Sequence, residues 1–363
     1  MSQNRAADVL LFVGSYSEPV PHALDAHGAG LSIFEVELAT GRVRTRFEDD
    51  SIRNPHYLCV DARRRMVYAV SEMWDGNDGT VTALHFDPGF ESVLSRSDLS
   101  TGGGIPSYVS VVGDSVALVS NYGDGTLASF LLSSDGHLVA PVSLVPVHGS
   151  GPDVDRQRGA HGHCVLPNPR NGQIYAADLG ADKLMRLSLD LSNGTLTRER
   201  ELHVRPGSGP RHVAFDPSSD LALVVNELSS RLGVWRIGAD GDLIESDDLP
   251  MLPDNVATRN LAADIAVASD GSRAFASNRG HDSVVMYEKS ESGGFRVAGW
   301  RPTGRTPRSL ALTPGDGYLF VANQDSDTVQ AYQVAAGGGL AEDFAISTGT
   351  PSCVKCIAVP PPA

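Results

Sequence analysis

The sequence predicts an all-β protein: a seven-bladed β-propeller of four-stranded blades, closed by pairing of its N- and C-terminal strands, with residues 1–363 forming a single domain. Three observations predict it. Apolar stretches are short, rich in Val and Leu, and bounded by Gly, Pro, Asp or Asn, with no long segment of 3.6-residue periodicity. One motif recurs along the chain at constant internal spacing. Its seventh copy is divided between the two chain ends.

In chain order, the N-terminus supplies only the second half of a copy, Leu10-Leu11-Phe12-Val13-Gly14-Ser15-Tyr16. Full copies open at Pro55-His56-Tyr57, Pro106-Ser107-Tyr108, His161-Gly162-His163, Gly209-Pro210-Arg211, Ala262-Ala263-Asp264 and Thr306-Pro307-Arg308. They end at Ser71-Glu72, Asn121-Tyr122, Asp178-Leu179, Asn226-Glu227, Asn278-Arg279 and Asn323-Gln324. The C-terminus offers only a first half, Gly349-Thr350-Pro351-Ser352-Cys353-Val354. Tyr57 to Glu72, Pro106 to Asn121, His163 to Asp178, Arg211 to Asn226, Ala263 to Asn278 and Arg308 to Asn323 are each 15 residues apart. A hairpin in which i faces i+15 turns midway, at Arg64-Arg65, Gly113-Asp114, Arg170-Asn171, Ser218-Ser219, Asp270-Gly271 and Gly315-Asp316. All but the first are turn-type pairs. Further strands follow each hairpin, as at Arg231–Ile237, Ser283–Tyr287 and Thr328–Tyr332, and complete the blades. Ring closure removes exposed strand edges. Two stacked β-sandwiches would leave the divided copy unexplained, and the lone Trp74-Asp75 does not recur as a WD40 array requires.

An apolar fraction of 41% excludes whole-chain disorder, and 29 basic against 44 acidic residues give a net charge of −15. Such a surface repels phosphate backbones and anionic bilayers, so neither nucleic acid nor membrane is an expected partner. No apolar run approaches the roughly 20 residues of a membrane span, and the start of the chain lacks a secretory pattern, so a cytoplasmic protein is expected. The oligomeric state is left open. Cys353 and Cys356 have CxxC spacing but no neighbouring ligand pair, and i and i+3 of a strand face opposite ways. Reduced, packed thiols are expected.

In a propeller the start of each innermost strand and the end of the next meet at one mouth of the central channel. The repeat therefore nominates Ser15, Tyr57, Glu72, Asn121, His163, Asp178, Arg211, Asn226, Glu227, Asn278, Arg279, Arg308 and Asn323 as its lining. So polar a ring suits a wet, ligand-accepting funnel. Arg211 and Arg279 in so acidic a protein suit a carboxylate, a phosphate or a developing oxyanion. Glu227 is the candidate general base and His163 the candidate acid or hydrogen-bond donor. Arg308 reads as mainly structural. His161, Tyr57, Asn121, Asp178, Asn226, Asn278 and Asn323 are expected to contact substrate. His161 and His163 could share a strand face as a metal pair, but no further His or Cys motif supplies a tetrahedral set; Glu72, Asn121, Asp178 and Asn226 could form an oxygen cage for Ca²⁺, the lesser alternative to a metal-free mouth. No metal or other cofactor is expected. The loop 148–160 and the Gly207–Pro210 segment would overhang the mouth. No Gly-x-Ser-x-Gly elbow or phosphate-binding loop is present.

The segments Gly207-Ser208-Gly209-Pro210-Arg211-His212, Asn226-Glu227-Leu228, Ser277-Asn278-Arg279-Gly280 and Ala322-Asn323-Gln324, in that order, resemble the seven-bladed propeller lactonases. That family includes bacterial 6-phosphogluconolactonases and the fungal carboxymuconate-lactonising cyclases. The resemblance runs from Phe12 to Pro351. It implies a metal-free site of one His, two Arg and one Glu, matched here by His163, Arg211, Glu227 and Arg279. Where the family often has Pro-His-x-His, this chain has Ala160-His161-Gly162-His163, which leaves both histidines as candidates. The leading expectation is hydrolysis of an anionic sugar-acid lactone such as 6-phosphogluconolactone. The alternatives are cyclisation of a carboxylated muconate and a non-enzymatic interaction scaffold.

Overall fold

The computed structural model describes residues 8–217, 221–291 and 293–360. Short apolar runs such as Met66–Ser71, Val116–Asn121, Leu221–Asn226 and Tyr318–Asn323 are strands buried at every position. Each is the second strand of its blade, with neighbouring blades covering both faces. Fourth strands such as Thr195–His203 lie at the rim and are largely exposed. Among the described residues the strands form seven antiparallel four-stranded sheets. The only helix among them is the short 3-10 turn Gln324–Ser326, and no helix is long and apolar enough to cross a membrane.

The innermost strands are Pro55–Asp61, Pro106–Val112, Gly162–Pro167, Pro210–Phe215, Leu261–Val267, Pro307–Leu312 and Pro351–Ala358. The last closes the ring by pairing antiparallel with Val9–Ser15, as the divided copy predicts. Apolar clusters fill the clefts between blades, and buried tyrosines tie adjacent blades. The Tyr68 hydroxyl donates to the Gly136 carbonyl at 2.7 Å, and that of Tyr175 donates to Gly241 at 2.6 Å. All four cysteines are free. Cys353 and Cys356 pack into different clusters, on opposite faces of their strand.

The hairpins turn where the sequence places them, with Ser218-Ser219 outside the described residues; Pro106 faces Asn121 as i to i+15 pairing predicts, but the register of the others differs. Pro55 faces Ser71, Gly162 faces Asp178, Pro210 faces Asn226 and Pro307 faces Asn323, each 16 apart. One residue later the register has slipped. Each innermost strand starts with a β-bulge. The extra residue is His56, Ser107, His163, Arg211, Arg308 or Ser352, with Ala263 and Asp264 sharing the role in the fifth full copy. A bulge leaves one residue out of the ladder and re-aims its side chain, here toward the channel. The turn into the bulge is itself built in: Asn54, Ile105, Gly209, Thr306 and Thr350 all adopt positive φ, and a proline follows each. Proline is tolerated at a strand's first position, where no ladder bond is lost.

Candidate active site

The carbonyl of the positive-φ residue accepts the N–H of the residue just past the second strand. Glu72 bonds to Asn54 at 3.0 Å, Tyr122 to Ile105 at 2.9 Å, Glu227 to Gly209 at 2.7 Å and Gln324 to Thr306 at 3.0 Å. The mouth is thus lined by two interleaved rings, the bulge residues and the residues one step beyond each second strand. They enclose a cavity of about 440 Å³ whose lining includes His22, His56, Glu72, Trp74, Ser107, Tyr122, Arg156, His163, Glu227, Arg259, Arg279 and Arg308. That volume suits a small-molecule ligand. A groove of about 510 Å³ beyond the 17–28 loop shares only Pro21 and His22 with it and holds none of the expected Arg or Glu residues.

Glu227 is the centre of charge. Arg156 Nη2 donates to its Oε1 at 2.5 Å, Arg279 Nη2 donates to Oε2 at 2.6 Å, and Arg211 Nε lies 3.1 Å from Oε2. Burial works to raise this carboxyl, but the guanidiniums of Arg279, Arg156 and Arg211 outweigh it and hold the group well below the usual carboxylate range. Burial in turn lowers Arg279 to about 10 despite Glu227. Arg211 is almost fully buried behind the cavity wall. Its Nη1 donates to the Ala263 carbonyl at 2.6 Å and lies 3.2 Å from His212 Nε2. His212 Nδ1 is 2.7 Å from Asp264 Oδ1, and Asp264 Oδ2 accepts from Ser309 Oγ at 3.0 Å and the Leu310 N–H at 2.9 Å. This chain of bonds fixes the Arg211 fork.

His163 faces the cavity. Its Nδ1 is buried with no partner among the described residues. Burial, reinforced by Arg211, keeps its imidazole neutral, well below an ordinary histidine. His161 instead stacks on Tyr122, 4.4 Å between ring centroids, with Nδ1 2.7 Å from the Tyr122 carbonyl, and is not part of the lining.

The structure brings together His163, Arg211, Glu227 and Arg279. Of the other residues nominated for the mouth, Glu72 and Arg308 also line the cavity, and the rest lie elsewhere. Tyr57 is one residue past the bulge and sits deeper in the channel, stacked on Tyr108 at 4.2 Å; His56 holds the mouth position. Asn121, Asn278 and Asn323 brace their own hairpins, donating to the hydroxyls of Thr126, Ser283 and Thr328 five residues on. Asp178 accepts from the His161 and Ala181 N–H groups, and Asn226 faces a small pocket between strands. With Asn121, Asp178 and Asn226 each within its own blade, the proposed Ca²⁺ cage does not converge. Among the described residues no group of three or more His, Cys, Asp or Glu side chains is arranged so that it could hold a metal ion. Ser15 is buried with an unpartnered hydroxyl, away from the cavity.

Arg308 lines the cavity, as the repeat predicts, and braces its wall, 3.7 Å from Glu72 Oε2 and 5.4 Å from the Tyr16 ring centroid. Sequence reasoning passed over His22, His56, Trp74, Tyr122, Arg156 and Arg259. Alignment on the recurring proline, Pro55-His56 beside Pro210-Arg211 and Pro307-Arg308, is the signal that finds His56.

Residues 10–356 match the family described as Lactonase, 7-bladed beta-propeller. The chain is similar to the 6-phosphogluconolactonase of Bacillus subtilis (strain 168), 27% identical over 350 residues, which cover 95% of this chain and 97% of that protein. It is 28% identical over 331 residues to the 6-phosphogluconolactonase of Formosa agariphila, covering 89% and 92%. The structure of the periplasmic gluconolactonase of Pseudomonas aeruginosa superimposes with a TM-score of 0.87 at 26% identity, covering 98% of this chain and 100% of that one. The chain belongs to the seven-bladed β-propeller lactonase family.

Proposed function

We propose that this protein hydrolyses the lactone of an anionic sugar acid, of the 6-phosphogluconolactone kind. One observation carries the reading: a carboxylate, Glu227, gathers three guanidiniums around one small cavity beside a neutral histidine. The names and structures of its relatives support it.

Lactone opening places negative charge on the carbonyl oxygen and then on the leaving ring oxygen. Fixed positive charge and N–H donors in a desolvated pocket stabilise both. In this reading Arg279 and Arg156 face the substrate, and Arg211 holds Glu227 from behind. Glu227 pairs with three guanidiniums that hold it ionised, which makes it a weak base, so its role in this reading is to anchor the arginines rather than act as the expected base. Neutral His163 donates a hydrogen bond to the developing oxyanion or leaving oxygen, as a neutral imidazole can in other sites. The occupant is a small-molecule anion and the enzyme resides in the cytoplasm; cell fractionation checks the second point against the periplasmic location of the Pseudomonas relative.

The test is hydrolysis of 6-phosphogluconolactone, other aldonolactones and a carboxymuconate by the purified protein, corrected for spontaneous opening. Acceleration of at least one lactone is expected, and a protein that opens none is not a lactonase.

A further inference from the structure

A second titratable cluster faces the same cavity, apart from the arginines gathered on Glu227 and touched by Arg308. Tyr16, just past the closing strand Val9–Ser15, places its hydroxyl 2.7 Å from Glu72 Oε2, 2.9 Å from His56 Nδ1 and 2.9 Å from His22 Nε2. His22 rides on the loop 17–28, its ring edge-on to Trp74 at 6.1 Å. Trp74 Nε1 donates to Glu72 Oε1 at 3.0 Å.

Counting protons fixes the tautomers. Burial would raise the Glu72 carboxyl, but the Tyr16 O–H and Trp74 N–H that it accepts, with Arg308 3.7 Å away, hold it ionised, so it only accepts. The single Tyr16 proton therefore goes to Glu72. Each imidazole nitrogen next to the Tyr16 oxygen must then carry a hydrogen and donate it. His22 is thus protonated on Nε2, and its Nδ1 is bare. No described residue hydrogen-bonds to that nitrogen, and the side chain is one-third exposed, whereas His56 is almost sealed at 3%. Glu72 Oε1 lies 3.4 Å from His22 Nε2, positioned to stabilise an imidazolium.

We propose that His22, which lines the cavity, is the proton acceptor of the reaction, a catalytic residue acting through its free Nδ1, and that Tyr16 and Glu72 are the positioning residues behind it. This rests on the lactone-hydrolase reading. His22 Nδ1 takes a proton from water as the water oxygen bonds to the carbonyl carbon, and the carbonyl π pair moves onto oxygen beside the arginines. When the intermediate collapses, the ring C–O bond breaks and the leaving oxygen receives the proton from His22. The sum is lactone plus water to hydroxy acid, with no other reactant. The charged groups acting on His22 are Arg308, Glu72, Arg279 and Glu227. Burial together with the arginines lowers it to about 4, so the bare nitrogen persists through neutral pH.

The test compares wild type, His22→Ala, His22→Gln and Tyr16→Phe on 6-phosphogluconolactone and gluconolactone, with thermal melts as a folding control. Expected are a kcat lowered about 10²-fold in both His22 variants with KM little changed, saturable rescue of His22→Ala by added imidazole, and an intermediate loss in Tyr16→Phe. A His22→Ala kcat within about 3-fold of wild type, or a loss that imidazole does not restore, overturns the assignment while the lactonase reading stands. A wild type that opens no lactone overturns the reading and this assignment together.

Discussion

Glu227 shows how one side chain can set a site's electrostatics without touching the reacting bond. Three guanidiniums in a buried pocket repel one another, and only a shared carboxylate lets them stay close. Glu227→Gln keeps the shape and removes the charge. Breaking a buried ion cluster from one side typically costs about 3–5 kcal/mol, so a clear fall in melting temperature is expected, together with a raised KM. A variant with wild-type stability and KM but a lost kcat would instead make Glu227 the base. Arg279 makes the sharper test of binding. Arg279→Ala is expected to raise KM for an anionic lactone more than for a neutral one, and equal effects on both would remove its role in anion recognition. At this scale the sequence located side chains that the fold brings together where charge was conspicuous, as at Arg211, Glu227 and Arg279. It was read poorly at the asparagines, whose polarity serves their own hairpins.

At the scale of elements, the repeat was legible and its fine register was not. Spacing of 15 locates every hairpin, but a bulge shifts which residue reaches the channel by one position, and that shift turned Tyr57 into a candidate in place of His56. Loops are less legible still. The 148–160 segment has no periodicity to read, yet it delivers Arg156 to Glu227. Its conformation is set by Gln157, fully buried, which donates to the Leu179 carbonyl at 2.8 Å and accepts the Asp153 N–H at 3.2 Å. Gln157→Ala should free the loop and raise KM by about tenfold through misplacement of Arg156, with the blades intact by circular dichroism. An unchanged KM would mean that Arg156 is held by Glu227 alone.

At the scale of the whole molecule, the buried titratable groups of the channel tie stability to pH. Burial, with help from Arg211, lowers His212 from an ordinary 6.5 to about 4. Between those values the unfolded chain binds a proton that the fold refuses, so stability falls as pH drops through this window. His163 and His56 act in the same direction. The depressed carboxylates of Glu227, Glu72 and Asp264 stabilise the fold above the ordinary carboxylate range, and that stability is lost at still lower pH. Denaturant titrations from pH 7 to pH 4 should show a steady loss that His212→Asn flattens; a wild-type profile level down to pH 5 would contradict this.

The most direct measurement is a crystal structure of the protein soaked with an unreactive lactam analogue of a phosphorylated sugar lactone. Density in the 440 Å³ cavity is expected, with the lactam carbonyl within hydrogen-bonding reach of Arg279 or His163 and the ring beside His22. A ligand seated anywhere else on the propeller, or a cavity left without it at saturating concentration, would contradict the claim that this mouth is where a lactone is opened.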